Sequence, residues 1–286
     1  MSFEDNSSFP PGPAEQPVGP ISLGEAAQTR ALIPDDLRVP WDWTDLLLFV
    51  VIYVAGLVVL SALVVTVFAL LGVSPLQIQK SASEKNLIGV ISQTLLDVAL
   101  IGYLVAQIRL RSNSPFWRTM GWRSLETGET PRVLAYFGLF FSGLFLGYVV
   151  DLASAAFPLK GKVPMQTFFQ DRQTALLLVL VGVLVAPLIE EMIFRGYLYP
   201  VVARSFGVSA GIIATGVLFG LMHAMQLWGG WWQIGLLIIV GIIFTFARAA
   251  TRTVIASYLL HLSYNSFQLI GFLVASHGLR NLPAIQ

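Results

Sequence analysis

The sequence predicts an all-α, polytopic transmembrane helical bundle of about seven helices (six to eight) behind a disordered N-terminal tail. Three observations carry this. Only 12% of the 286 residues are charged, 56% are hydrophobic, and mean hydropathy is +0.74. Soluble domains carry about 25% charged residues, so a soluble enzyme is excluded. The few charges are also crowded at the front, where 7 of the 16 acids and 7 of the 15 prolines precede residue 45. Finally, seven long apolar runs follow, each within or near the roughly 17–25 residues that a spanning helix needs. Continuous runs of this kind are not the alternating strands of a membrane barrel. A net charge of +1 gives no case for a nucleic-acid partner. The absence of cysteine removes disulfides, thiolate metal sites, a cysteine nucleophile, and prenylation or palmitoylation of the chain itself.

Residues 1–40 are rich in Pro, Gly, Ser and acids and lack apolar periodicity, so they are expected to be a disordered cytoplasmic tail. No cleavable signal peptide is recognised, and the first apolar run is expected to serve as the membrane signal. The runs are Leu46–Leu71, Leu87–Ile108, Val133–Phe157, Gln173–Phe194, Val208–Met225, Trp231–Ala247 and Val254–Ala275. The first three form an N-terminal helical part, 41–172. The last four form a second part, 173–275, before a short C-terminal tail, 276–286. No internal repeat of the transporter kind is found.

Loop Lys and Arg set orientation. Arg30, Arg38, Arg109, Arg111, Arg118, Arg123, Arg132, Arg195, Arg204, Arg248 and Arg252 fall on one side. Lys80, Lys85, Lys160, Lys162, Arg172 and Arg280 fall on the other. The Arg-rich side, with the N-terminus, is expected to be cytoplasmic. Trp228, Trp231 and Trp232 then belong to the outer interfacial belt, and Trp41 and Trp43 to the inner one.

Charge inside a membrane helix is costly and points to function by default. After Asp171 the chain holds only two acids, the adjacent Glu190 and Glu191. Pro187 stands one turn before them, where a kink frees carbonyls. Glu191 and Arg195 are spaced i,i+4 in the order that favours an ion pair. Glu190 is rotated about 100° away and has no partner on its own helix, so it is a candidate general base. The plainer account is two glutamates solvating a helix end. Phe219 and His223 share one face of the fifth run; the plainer account is a core histidine bonded to a carbonyl. His261 and Asn265 share one face of the seventh; the plainer account is an interhelical polar clamp. Asp97 and Asp151 are read as polar contacts facing the bundle interior, and Ser142 as a small packing residue.

Glu190-Glu191-x-x-x-Arg195, Phe219-x-x-x-His223 and His261-x-x-x-Asn265 occur in this order on successive apolar helices. The set resembles the CPBP family of intramembrane proteases, also known as the CAAX prenyl endopeptidase, bacteriocin-processing or abortive-infection (Abi) family. The resemblance covers roughly residues 173–271 and implies that 173–275 is a catalytic core. By resemblance Glu190 activates water and passes its proton to the leaving amine. His223 orients that water, and His261 and Asn265 hydrogen-bond the oxyanion. Glu191 is structural or electrostatic, tied to Arg195, and Phe219 packs within its motif.

The implied activity is endopeptidase cleavage of a membrane-associated or prenylated CAAX-type substrate. The partners are then that peptide and the lipid bilayer, in a multi-pass protein of a bacterial inner membrane. A metal-free glutamate mechanism is the leading reading, with no cofactor. A zinc version held by Glu190, His223 and His261, with a fourth position open, stays alongside it. No His-Glu-x-x-His, Gly-x-Gly-Asp or Gly-x-Ser-x-Gly pattern occurs, which sets the zincin, presenilin and rhomboid types aside. A non-catalytic immunity or scaffold protein, or more remotely a transporter, are the alternatives.

Overall fold

The structure, a computed structural model, describes residues 33–158, 175–176 and 181–280. Tail residues 1–32, the loop residues Lys160, Lys162 and Arg172, the start of the fourth run and residues 281–286 lie outside the described residues. The folded unit begins at Asp35. It consists of helices, with no strand among the described residues.

Helix α1, Trp43–Leu70, starts at a reciprocal cap. Asp42 Oδ1 accepts the N–H groups of Thr44 (2.9 Å) and Asp45 (3.4 Å), while Asp45 Oδ2 accepts that of Asp42 (2.9 Å). These contacts satisfy donors that a helix start otherwise leaves open. Asp45 is also held by both terminal nitrogens of Arg111, each at 2.7 Å. Arg111 ends α2, Ala82–Arg111, so the start of α1 and the end of α2 are tied together. Beneath this tie, Leu96, Leu100, Leu104 and Ile108 recur every four residues along one buried face of α2. They pack with Trp41, Phe49, Met120, Ile189, Met192, Tyr197 and Val201.

Helix α3, Arg132–Ala156, approaches the last helix closely because Gly143 and Gly147 face it. A Cβ at Gly143 would collide with the Leu260 backbone and Ser263, and one at Gly147 with Phe267. Ser142 is exposed and donates to Gly138 O on its own helix (2.7 Å), so Gly143 rather than Ser142 is the small packing residue. Asp151 is exposed rather than interior.

Residues 181–206 follow one helical path, α4, that changes winding three times. A π-turn at Val181–Val185 leads to α-helix Ala186–Glu191, π-helix Met192–Leu198 and α-helix Tyr199–Phe206. Pro187 and Pro200 each stand two residues past a π segment. A π-turn pairs each carbonyl with the N–H five residues on, and proline has none to give. The fourth run therefore does not end at Phe194; it continues for twelve more residues. Gly207, at φ +89°, turns the chain in one residue into α5, Val208–Met222. This backbone is strained for any residue with a Cβ.

Helix α6, Trp231–Thr251, packs on α5 through Gly216, Gly220 and Gly241. A Cβ at Gly216 or Gly220 would meet the backbone of Ile242 or Ile238, and one at Gly241 the carbonyl of Gly216. Small residues spaced by four are what allow membrane helices to approach this closely. Helix α7, Val254–Ala275, is capped by Thr253, which accepts from Ile255 N–H (3.1 Å) and donates to Arg123 O (2.6 Å).

Each of the seven apolar runs is represented by one of these seven paths. By length and composition, α1, residues Ser83–Arg111 of α2, α3 and α6 can cross a membrane. Helix α5 is apolar but short, with 15 residues. Helix α7 has the length but is diluted by His261, Ser263, Asn265, Ser266 and Gln268. The protein is an integral membrane protein, with large apolar side chains such as Val50, Val54, Val58, Phe137 and Phe141 facing outward.

Residues 35–41, up to 40 assigned by sequence to the tail, form a strap across one end of the bundle. Asp35–Leu37 is a 3₁₀ turn. Buried Asp36 pairs with buried Arg248 of α6 at 2.8 Å, and Arg248 also donates to Asp36 O (3.1 Å). Trp41 is 2% exposed and donates to Tyr197 O at 2.9 Å, and Arg204 donates to the carbonyls of Val39 and Trp41. Trp41 is therefore an interior anchor and not part of an interfacial belt. Trp43, Trp228, Trp231 and Trp232 are exposed as a belt requires.

Candidate active site

Sequence adjacency sends the two glutamates to opposite fates. Glu191 is fully buried and faces Arg195, one turn on and equally buried; Arg195 Nη1 donates to Glu191 Oε1 at 2.8 Å. The other guanidinium donors reach α6: Nε to Thr245 Oγ1 (3.2 Å) and Nη2 to Gly241 O (2.9 Å). The guanidinium also lies 4.5 Å from the Phe219 ring centroid and 5.5 Å from that of Phe244. Each guanidinium nitrogen thus has an acceptor, which a buried ion pair needs, while Glu191 Oε2 is buried without a hydrogen-bond partner among the described residues. Thr245, Gly241 and Phe244 carry no sequence signal of this role. They come from a helix with no motif, and only the close α5–α6 approach brings them in.

Glu190 points the other way and keeps 26% of its side chain exposed. Its Oε2 stands 4.0 Å from His223 Nε2 and 3.8 Å from His261 Nε2. Each histidine is held from behind through Nδ1. His223 Nδ1 lies 2.9 Å from Phe219 O, which can only accept, so Nδ1 carries the proton and Nε2 offers a lone pair in the neutral ring. His261 Nδ1 lies 3.0 Å from Glu191 Oε1, the oxygen already paired with Arg195, so it too donates. An Nε2–H for an oxyanion then exists only in the imidazolium form of His261. Phe219, 1% exposed, touches Arg195, His223 and His261, with ring centroids 5.0 Å from His223 and 5.5 Å from His261. It ties the three motifs together beyond packing within its own.

The depth of His223 follows from the true end of α4. Counted from the Gly207 turn, Glu190 and His223 are 17 and 16 residues away along the two arms of one hairpin. At 1.5 Å per residue both lie roughly 24–26 Å from it. With the fourth run ended at Phe194, His223 would stand deeper than Glu190. Asn265 makes no hydrogen bond to Glu190 among the described residues. One of its amide N–H groups bonds Gly182 O at 2.9 Å. Gly182 is the carbonyl that π-winding would pair with residue 187, so Asn265 occupies what Pro187 leaves open. The carbonyl-bonded histidine and the polar clamp, the plainer readings of two motifs, are therefore both present as contacts, and the same side chains still converge on or near Glu190.

Among the described residues no three His, Asp or Glu side chains form a group that could hold a metal ion. Ligand atoms at zinc-bond lengths within one tetrahedron are about 3.3 Å apart. The 3.8 and 4.0 Å separations around Glu190 are wider, so Glu190, His223 and His261 do not fit zinc as they stand.

Residues 172–267 match the family model described as type II CAAX prenyl endopeptidase Rce1-like. That match supports a CPBP-family intramembrane protease. It spans every residue of the three motifs and stops short of α1–α3. The match covers about a third of the chain, and the family so described is one of type II CAAX prenyl endopeptidases. Comparison with curated proteins and with solved structures gives no match.

Proposed function

We propose that this protein is an intramembrane endopeptidase that cleaves a membrane-anchored or prenylated peptide by water attack, with Glu190 as the general base. The observation that carries the reading is the separation of the neighbouring carboxylates. Glu191 is consumed by Arg195 and His261, while Glu190 stays about a quarter exposed and faces two imidazole Nε2 atoms.

A water beside Glu190 gives one proton to its carboxylate and the other hydrogen bond to His223 Nε2. That arrangement aims an oxygen lone pair at the scissile carbonyl. The oxyanion then forms on the side of His261, which donates from Nε2 when its ring carries a second proton, Nδ1 being held by the Glu191 carboxylate. The second N–H of Asn265, not used on Gly182, adds to it. Glu190 returns its proton to the leaving nitrogen. No metal is required. The protein is read as multi-pass in a bacterial inner membrane, with the Arg-rich end and the strap in the cytoplasm.

In detergent or vesicles, Glu190→Gln abolishes cleavage of a membrane-anchored or prenylated reporter peptide, and the wild type retains activity after chelation with metal content verified. Equal cleavage by the variant overturns the assignment of the base. Loss on chelation with recovery on zinc overturns the metal-free reading.

A further inference from the structure

Helix α6 carries none of the three motifs, yet one of its faces lines the back of the site. Gly241, Phe244, Thr245 and Arg248 follow one another at the spacing of a single helical face and are all buried. Phe244, fully buried, lies 4.8 Å from the His261 ring centroid, with the rings tilted by 31°. Thr245, equally buried, donates its hydroxyl proton to Gly241 O at 2.8 Å, which leaves its oxygen lone pairs for Arg195 Nε at 3.2 Å. Gly241 O also accepts from Arg195 Nη2 at 2.9 Å. A hydroxyl and a carbonyl one turn apart therefore clamp the Nε and Nη2 side of the guanidinium, and Nη1 is aimed at Glu191 Oε1. The bonds to Glu191 from Arg195 and from His261 Nδ1 both fall on this one oxygen, while Oε2 has none among the described residues. A line of hydrogen bonds thus runs from Thr245 through Arg195 and Glu191 to His261, whose other nitrogen faces Glu190.

What this line controls is the place of one proton. His261 has a carboxylate at each ring nitrogen: Glu191 Oε1 is 3.0 Å from Nδ1, and Glu190 Oε2 is 3.8 Å from Nε2. The neutral ring carries a single N–H, and the hydrogen bond on one nitrogen decides which. With the proton on Nδ1, Nε2 is bare and no imidazole donates to Glu190, so the resting carboxylate is free to take a proton from water. With the proton on Nε2, His261 would donate to Glu190 and occupy the base. His223 faces no such choice, because its Nδ1 partner is a main-chain carbonyl fixed by α5. Glu191 is a side chain, and the grip of Arg195 on Oε1 decides which way its carboxylate faces. We propose that Thr245 is a positioning residue of the hydrolysis: by fixing Arg195 it keeps Glu191 on Nδ1 of His261 and so keeps Glu190 free. This rests on the reading of Glu190 as the base and names what holds that base ready.

The test compares Thr245→Val, which keeps the shape and loses the hydroxyl, with Thr245→Ser, which keeps the hydroxyl. On a membrane-anchored reporter peptide, Thr245→Val lowers kcat about 10- to 100-fold, the range of a small misplacement remote from the chemistry. KM changes little, and Thr245→Ser recovers most of the rate. The second readout needs no turnover. In protein labelled with the heavy nitrogen isotope at its histidines, NMR shifts report which ring nitrogen carries the proton. The signals of neutral His261, assigned by their loss in His261→Gln, place it on Nδ1 in the wild type and on Nε2 in a large part of Thr245→Val. A wild-type His261 with its proton on Nε2 overturns the proposal without any variant having to fold. So does Thr245→Val with unchanged kcat, Thr245→Ser as slow as Thr245→Val, or a lost rate with the His261 proton unmoved. If Glu190 is not the base, Glu190→Gln still cleaves while the nitrogen shifts still follow Thr245, so the two failures give different patterns.

Discussion

Helices α1 and α4 solve the same problem, residence in a membrane, by opposite means. Helix α1 buries four of its 28 residues, and two of those, Asp45 and Leu46, sit in its first turn. Beyond that turn its outward face is Val after Val, satisfied by lipid. Path α4 carries two prolines, two acids and two arginines, and from Ile189 to Ala203 most of its residues are buried. It is held by hydrogen bonds to the strap, α2, α6 and α7. Hydrophobicity is therefore enough to place a helix in a bilayer, but a site needs a helix whose polar groups are individually answered. The two kinds of helix should tolerate substitution very differently.

The sharpest break of that contrast is Arg195→Met. It leaves Glu191 buried beside His261 without its cation, and loss of one partner from a buried pair costs about 3–5 kcal/mol. Unfolding of the purified protein in mixed micelles should register this. The double variant Glu191→Gln/Arg195→Met should lose less than the sum of the single variants, because no buried charge is left unpaired. A lipid-facing change such as Val58→Leu should stay within about 0.5 kcal/mol of wild type. Comparable losses at Arg195 and Val58 would erase the distinction.

This contrast also explains what was legible from sequence. Local spacing reads well: Glu191–Arg195 is one helical turn, and the structure forms that pair. The seven runs read well because hydropathy is all that helices such as α1 require. Features joining distant segments did not read. The continuation of α4 to Phe206 depends on π-turns accommodating Pro187 and Pro200, which the sequence marks only as breaks. The anchoring of Trp41 depends on Tyr197, 156 residues away. Gly216 and Gly220 are visible as a spaced pair, but their partner Gly241 is chosen by the fold.

A smaller effect is expected at the strap. Asp36→Asn keeps the shape but removes the charge facing Arg248, which is fully buried. A hydrogen bond to a charged group contributes about 1.5–3 kcal/mol, so stability should fall by that order. Limited proteolysis should then cut near residues 33–41 while α1 stays intact. Cleavage inside α1 instead would mean that the strap and the helix unfold together.

Glycine positions test the contrast at the level of one methyl group. At Gly216 a Cβ would lie 2.5 Å from the Ile242 nitrogen, so α5 and α6 must separate. Gly216→Ala is expected to cost about 1–3 kcal/mol, the range for overpacking. Gly102 in α2 has nothing within 4 Å of its Cβ position. Gly102→Ala should leave stability unchanged or slightly raised, since alanine loses less backbone entropy in a helix. The thermal midpoints of the two variants, measured side by side, carry the comparison.

The smallest expected effect lies at the water-exposed start of α1, where even a lipid-facing helix depends on a polar group. The Thr44 backbone N–H is the largest influence on the Asp42 carboxyl; desolvation, next in size, opposes it, and the Asp45 N–H and the charge of Arg111 add to Thr44, so the carboxyl is held below its ordinary value of 3.8. A carboxyl lowered on folding adds stability above its unfolded value, near pH 4. That contribution is lost as pH falls through the lower folded value. Asparagine caps a helix about as well as aspartate but does not titrate there. The difference in thermal midpoint between wild type and Asp42→Asn should therefore be constant from pH 7 to about pH 5 and move against the wild type below pH 4. Subtracting the variant removes the contribution of every other carboxylate. A difference that stays flat to pH 3 would mean that the cap works through its hydrogen-bond geometry and not through its charge.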